Sequence, residues 1–414
     1  MAGETRDSKN SALLGRRDFL IRGSSAAAAV AALGLPRPAW AAPDGPPRVR
    51  RYTTLGRTGL KVSDISFGSS RSADPALVEH AFARGINYFD CAESYKGGNS
   101  ELAIGRALRG KRDEVYLTSK VKCGVDTKRS SLMQALERSL KRLQTDHVDI
   151  YFNHAVNDIE RLKNDEWLEF ATRAKQQGKI RFTGMSGHGG QLVACMDYAL
   201  DHDLVDVILC AYNFGQDPSF FERLTTRMDF VAVQPDLPRV LAKAREKNVG
   251  LVAMKTLRGA RLNDMRPYEW DKATFAQAAL RWVLAGTRVD ALVISMTSIE
   301  QIDEFVAASG APAPRGAELD LLEDYLLAQG RPYCNHACDA CESSCPHGVA
   351  ISEVLRTRMY AVDYGDLSYA RDEYAELANN AQVCASCVHT SCVGACPQDL
   401  QIPDLTREAH RLLA

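Results

Sequence analysis

Asp90, Tyr95, Lys120 and His154 fall at or just beyond the ends of three consecutive apolar runs, INYFDC (86–91), VYLTSKV (115–121) and HVDIYFNH (147–154). Together these residue types make a proton-donating arrangement. A phenol with a reference pKa of about 10 is a poor acid at neutral pH. A neighbouring ammonium stabilises the phenolate and lowers that value, and a carboxylate on the ammonium keeps it charged and placed. A histidine can then orient a carbonyl oxygen beside the phenol. General acid catalysis of this kind contributes on the order of 10²–10⁴ in rate. Taken singly, Asp90 could cap a loop, Lys120 could pair with a carboxylate and His154 could sit satisfied in a core. At three successive strand ends they point to one site, because chemistry in a parallel barrel gathers at the carboxyl ends of the strands.

The elements that must position them alternate regularly. Eight short apolar runs read as strands: 64–70, 86–91, 115–121, 147–154, 180–186, 205–213, 249–257 and 289–296. Between them lie amphipathic stretches such as SLMQALERSLKRLQ (131–144) and TFAQAALRWVLA (274–285), apolar at spacings of three and four. Continuous apolar strands separated by helices indicate a parallel sheet covered on both faces. Eight such units over this length fit an α/β fold, a closed (β/α)8 barrel, which takes ~250 residues. RYTTLGRTGLKVS (51–63) reads as an N-terminal hairpin, and the stretch 214–237 is a long loop of the kind that shapes pockets.

INYFDCAESYKGGNSE (86–101), with the Lys120 and His154 contexts on the following strands, resembles the aldo-keto reductase family. The resemblance covers roughly residues 50–309, and the hairpin matches the plug under that family's barrel. It implies that Tyr95 is the general acid, that Lys120 and Asp90 tune it, and that His154 orients the substrate. It also implies reduction of a small-molecule carbonyl, or oxidation of an alcohol, by hydride transfer with a nicotinamide cofactor. Ser186 matches the residue that holds the carboxamide, and Lys255 a partner for the pyrophosphate. Thr297, Gln301 and Glu304 match the adenine-end segment. Met254 stands where the family stacks an aromatic on the nicotinamide ring. Leu209 replaces a carboxamide-binding Gln and Phe305 a helix Asn, and 295–304 carries no Lys or Arg for a 2′-phosphate. These departures leave open whether NADP, NAD or neither binds.

Cysteine use is uneven. Of twelve, Cys91, Cys123, Cys195 and Cys210 are scattered and read as small buried hydrophobes. The other eight form Cys334-x3-Cys338-x2-Cys341-x3-Cys345-Pro and Cys384-x2-Cys387-x4-Cys392-x3-Cys396-Pro. These runs resemble the bacterial ferredoxin pattern for two 4Fe–4S clusters, in which the fourth Cys of each run serves the other cluster. Crossing would group Cys334, Cys338, Cys341 and Cys396, and separately Cys384, Cys387, Cys392 and Cys345. Two structural zinc ions or disulfides are the alternatives, and so is a tail merely stapled by its clusters beside an active barrel. Some aldo-keto reductases carry such a ferredoxin-like extension, here a small, mainly helical domain.

Residues 1–41 read as an export address. Arg16-Arg17-Asp18-Phe19-Leu20 resembles the twin-arginine signal and is followed by SSAAAAVAALGL (24–35) and an A-x-A site at Ala39-Trp40-Ala41. The apolar stretch is too short for a membrane span, which needs ~20 residues. The expected organisation is therefore signal 1–41, linker 42–50, barrel 51–309, linker and short helix 310–330 and dicluster domain 331–414. The twin-arginine export machinery and a redox protein are the expected partners of a periplasmic or otherwise exported, soluble mature chain. With 51 Lys plus Arg against 52 Asp plus Glu, the 414-residue chain has a formal net charge of −1 and no basic footprint for nucleic acid. A second class of function is a one-electron carrier whose barrel is only a scaffold or docking surface.

Overall fold

The computed structural model describes residues 45–221, 234–257, 269, 274–329, 334, 338–363 and 365–414. The export address therefore lies outside the described residues, as do half of the long loop at 214–237 and the tail positions 331–333 and 335–337. Two short strands, β1 (Tyr52–Thr54) and β2 (Lys61–Ser63), pair antiparallel as the N-terminal hairpin. The next eight are β3 (Ile65–Gly68), β4 (Tyr88–Asp90), β5 (Tyr116–Val121), β6 (Val148–Asn153), β7 (Ile180–Gly187), β8 (Val207–Ala211), β9 (Gly250–Met254) and β10 (Ala291–Ser295). They close into one parallel barrel in chain order, with β10 returning to β3. Each lies within its expected apolar run or extends it by a residue.

The period of two explains how one strand serves two layers. On β6, Ile150 and Phe152 point into the barrel with Tyr88, Val207, Leu209 and Val252. Tyr151 points outward against Trp167 and Phe170 of a covering helix. Leu55, Leu60 and Val62 of the hairpin join the interior cluster, so the plug closes one end of the barrel. Its turn has little room. Gly56 has φ +45°, and a Cβ there would sit 2.7 Å from the Asn248 carbonyl oxygen and against the backbone of Gly250.

The covering helices are α1 (Pro75–Ala83), α2 (Asn99–Ala107), α3 (Arg129–Leu143), α4 (Asp165–Gln176), α5 (Leu192–Asp201), α6 (Leu237–Glu246), α7 (Phe275–Ala285) and α8 (Ile299–Val306). Side chains set several of their starts: Asp74 accepts from the Ala76 amide ahead of α1, and Asn164 from the Glu166 amide ahead of α4, as N-caps do. After α9 (Ala317–Gln329), the chain forms α10 (Ile351–Val362), α11 (Leu367–Ala375) and α12 (Ile402–Leu413). These last three share a core of Val354, Met359, Tyr374, Ile402, Ala409 and Leu413. Among the described residues no helix is long and apolar enough to cross a membrane.

Candidate active site

Barrel register brings the expected quartet together. Asp90 ends β4 opposite Thr118, and Lys120 on β5 lies opposite Phe152. Asp90 and Lys120 are buried, 2% and 1% exposed. Lys120 Nζ donates to Asp90 Oδ2 at 2.6 Å and to the Cys91 carbonyl at 2.7 Å, while Thr118 Oγ1 donates to Asp90 Oδ1 at 2.8 Å. The ammonium lies 5.0 Å from the centre of the Tyr95 ring, and the His154 ring meets Tyr95 edge-on with centroids 5.6 Å apart.

The backbone turns sharply just past two of these groups. Lys96 and Ala155, which follow Tyr95 and His154, both have positive φ (51° and 52°), and so does Lys255 after β9 (58°). Non-glycine residues held there store strain that surrounding contacts must support. Around His154 that support is Arg161. Its guanidinium donates to the carbonyls of Cys123, Ala155 and His154 at 2.7, 2.7 and 2.8 Å, and to Asn153 Oδ1 at 3.1 Å.

Electrostatics corrects one expectation. The Tyr95 phenol is held well above its ordinary value of 10.0, first by burial and then by the Asp90 charge. The Lys120 ammonium, matched by Asp90 at 2.6 Å, does not outweigh these two effects. Tyr95 is therefore a protonated hydrogen-bond donor throughout the neutral range. His154 is driven well below 6.5, by burial and then by Lys120, Lys122, Arg161 and Arg356, so its imidazole is neutral.

The cavity over these residues encloses about 270 Å3 and is lined by all four of them. Ser186, Met254, Lys255 and Gln301 line it as well. Thr297 and Glu304 do not line it: Thr297 hydrogen-bonds Gln301 Oε1 through its amide and hydroxyl, and Glu304 is half-buried with a hydrogen bond to Thr274. Ser186 Oγ accepts from the Ala155 amide at 2.9 Å, which leaves its hydroxyl hydrogen for a ligand. Thr256, next to Lys255, also lines the cavity, and its buried Oγ1 has no hydrogen-bond partner. A buried hydroxyl without a partner costs free energy, so this orphan suits a polar ligand group. The sequence reading missed Thr256, although its adjacency to Lys255 was a usable signal. It also missed Tyr360, Tyr369, Glu373 and Asp366, which reach the cavity from the tail.

The tail cysteines fall into two neighbourhoods. Cys334 feels the charges of Cys338, Cys341 and Cys396, whereas Cys384 and Cys392 both feel Cys345. Burial first, then Cys338 and Cys396, push the Cys341 thiol up to about 12. Cys345, Cys384, Cys387 and Cys392 line one small cavity with His347 and His389. Among the described residues no group of three or more Cys, His, Asp or Glu side chains is drawn together tightly enough to hold a metal ion.

Comparison with known proteins agrees with this geometry. Residues 65–314 match the model of the Aldo/keto reductase family. The chain is 28% identical over 295 residues to L-galactose dehydrogenase of Arabidopsis thaliana, covering 61% of this chain and 86% of that protein. It is 26% identical over 303 residues to L-glyceraldehyde 3-phosphate reductase of Escherichia coli, covering 62% and 87%. Among solved structures, an aldo-keto reductase from Klebsiella pneumoniae in complex with NADPH superposes with a TM-score of 0.52 at 25% identity, over 67% of this chain and 95% of that one. With a closed eight-stranded barrel, a buried carboxylate–lysine pair beneath a tyrosine and a family match over most of the barrel, the chain belongs to the aldo/keto reductase family and is an oxidoreductase.

Proposed function

We propose that the chain interconverts a carbonyl and an alcohol on a small molecule, with a nicotinamide cofactor and with Tyr95 as general acid. The observation that carries this reading is the buried Asp90–Lys120 pair beneath Tyr95 and His154 at the barrel mouth. When bound, reduced nicotinamide supplies the hydride, the electron pair that the carbonyl carbon accepts as its C=O becomes a C–O single bond. Tyr95 donates its proton to the oxygen as negative charge builds there. A developing alkoxide is a stronger base than a phenolate, so a phenol of raised pKa still serves as donor. Neutral His154 holds the carbonyl oxygen beside that donor, and Lys120 offsets the charge left on Tyr95 after transfer.

For the cofactor, Ser186, Gln301, Lys255 and Thr256 offer polar contacts and Met254 an apolar one. A nicotinamide group fits this set because Thr256 Oγ1 and the Ser186 hydroxyl hydrogen await a partner. The NADPH-bound neighbour supports NADP, and the lack of Lys or Arg in 295–304 supports NAD. In the tail, the two thiol neighbourhoods match the crossed pairing that the Cys-Pro runs suggest. On that basis they would hold two 4Fe–4S clusters, which would supply one-electron transfer, with a redox protein as partner. The signal-like segment 1–41 supports twin-arginine export, so the mature chain acts outside the cytoplasm with its cofactors inserted beforehand. On this reading the functional modules are 51–309 and 331–414, joined by the linker and helix at 310–330.

A spectrum and nucleotide release from the purified native protein test the whole set. Broad absorbance bleached by dithionite, with NADP or NAD released on denaturation, is the expected result. A colourless protein with bound zinc would overturn the cluster assignment, and a protein that binds neither nucleotide would overturn the hydride reading.

A further inference from the structure

The cavity above Tyr95 is walled on one side by the tail. Tyr360 on α10 and Tyr369 and Glu373 on α11 line it, and all three lie beyond residues 65–314. Lys122, two residues after Lys120, pairs with Glu373 at 2.8 Å, and Arg356 reaches the same carboxylate at 3.3 Å, which fixes this wall to the barrel. The cofactor reading gives the β7, β9 and α8 side to nucleotide through Ser186, Lys255 and Gln301. That leaves the β4 side, where Tyr95 stands, for the approach of substrate.

A second cavity, of about 580 Å3, lies on that side between α2 and α11. Asn99, Leu102, Ala103 and Arg106 of α2, spaced by three and four, give it one face. Ser368, Tyr369 and Asp372 of α11 give the other. Its charged groups are Lys96 and Arg106 from the barrel and Asp366 and Asp372 from the tail. Ser94, next to Tyr95, lines it too, and the buried Ser94 Oγ has no hydrogen-bond partner among the described residues. Lys96, Asp366 and Tyr369 line both cavities, and Lys96 and Asp366 form an ion pair where the two meet.

The partners of that pair are held differently. Asp366 caps α11, its carboxylate accepting from the Tyr369 amide at 3.3 Å, and its own amide donates to the Tyr360 carbonyl at 2.9 Å. Lys96 begins a left-handed run, with φ of 51° at Lys96, 61° at Gly97 and 88° at Gly98. A lysine held there is strained, whereas glycines take that region readily. Lys96 is therefore the partner built to swing.

We infer that the second cavity is the entry site for substrate, a vestibule that first holds a polar carbonyl or alcohol at Ser94 Oγ, and that the Lys96–Asp366 pair is the gate at its inner end. The inference rests on the carbonyl–alcohol reading above and adds the route. Because its cations and anions balance, the vestibule draws in neither sign of charge from a distance. The unpartnered Ser94 hydroxyl gains a hydrogen bond when a polar group arrives. Opening needs no change of fold, since rotating the Lys96 side chain away from Asp366 joins the two spaces.

The test uses the full chain with its native cofactors and two aldehyde probes of different girth, glycolaldehyde and benzaldehyde. Ser368→Trp places an indole at an exposed position that lines the vestibule but not the Tyr95 cavity. It should lower kcat/KM for benzaldehyde by about tenfold or more and for glycolaldehyde by less, while single-turnover hydride transfer at saturating aldehyde keeps the wild-type rate. Asp372→Trp, one turn along α11, fills the same space should the serine variant fail to fold. Leu367→Trp, exposed and outside both cavities, should behave as wild type. Asp366→Asn removes the charge but keeps a capping side chain, and it should raise kcat/KM for benzaldehyde by about threefold or more. An unchanged kcat/KM in Ser368→Trp, or an equal loss in Leu367→Trp, overturns the entry site and leaves the carbonyl–alcohol reading standing. A fall in Asp366→Asn overturns the gate. Turnover of neither aldehyde by the wild type with either nucleotide removes that reading and the inference with it.

Discussion

Replacing Lys120 by Met should separate what the buried pair does for folding from what it does for chemistry. Lys120 is 1% exposed, and its ammonium donates to Asp90 Oδ2 at 2.6 Å and to the Cys91 carbonyl at 2.7 Å. Removing the ammonium leaves the Asp90 carboxylate, 2% exposed, with the Thr118 hydroxyl as its side-chain donor. Breaking a buried pair on one side costs about 3–5 kcal/mol, because the remaining charge is uncompensated. Since domains are typically stable by about 5–15 kcal/mol, that loss is a large fraction of the total. Replacing both members, Lys120→Met with Asp90→Leu, removes the uncompensated charge and should recover most of the loss. Activity should not recover, and carbonyl reduction in single and double variants alike should be down by about 10²–10⁴. Thermal midpoints and steady-state rates of the wild type and three variants complete the cycle. A Lys120→Met protein that melts with the wild type would refute the buried pair, and a double variant with restored turnover would refute its part in catalysis.

Other outcomes follow from neighbouring contacts. Because His154 is driven well below 6.5 in the folded chain, the unfolded chain takes up its proton first as pH falls. Stability from this group is therefore complete above about 6.5, declines as pH drops below that value, and levels off below the depressed folded pKa. A His154→Gln variant should lose that part of the acid slope in chemical denaturation. Arg161→Met should lower kcat more than it raises KM, by loosening the His154 and Ala155 backbone, and should cost about 2–4 kcal/mol as four hydrogen bonds are lost. Guanidinium denaturation and steady-state kinetics measure both effects. Gly56→Ala should destabilise the chain by about 2 kcal/mol or more, since the plug turn has positive φ and no room for a methyl group; an unchanged melting curve would contradict the plug packing.

The barrel was legible because each strand is a short apolar run whose two faces are both buried, a pattern that survives without any knowledge of long-range contacts. The quartet was legible for a related reason: strand ends in a parallel barrel share one rim, so Asp90, Lys120 and His154 had to converge. Two kinds of information were not in the sequence. The direction of the Tyr95 shift depends on how fully Asp90 neutralises Lys120 and how deeply the phenol is buried, and neither follows from residue type. The wall of Tyr360, Tyr369 and Glu373 comes from more than 200 positions along the chain from Tyr95 and is set by tertiary packing, which no local periodicity encodes. Thr297 and Glu304 failed to reach the cavity for the same reason. On α8, Gln301 and Phe305 are the residues that line the cavity, while Ile302 and Val306 pack into the core. Lys96 and Lys122 were closer to being readable, because each lies within two residues of a site group.

The central claim is that Tyr95 gives its proton to a reducible oxygen in this barrel. Single-turnover mixing of the holoprotein with a carbonyl substrate, followed at 340 nm, measures that step without interference from product release. Wild type should oxidise bound reduced nicotinamide in one phase. Tyr95→Phe should bind the same nucleotide yet slow the phase by about 10²–10⁴. Equal rates in the two proteins, with nucleotide bound in both, would contradict the account.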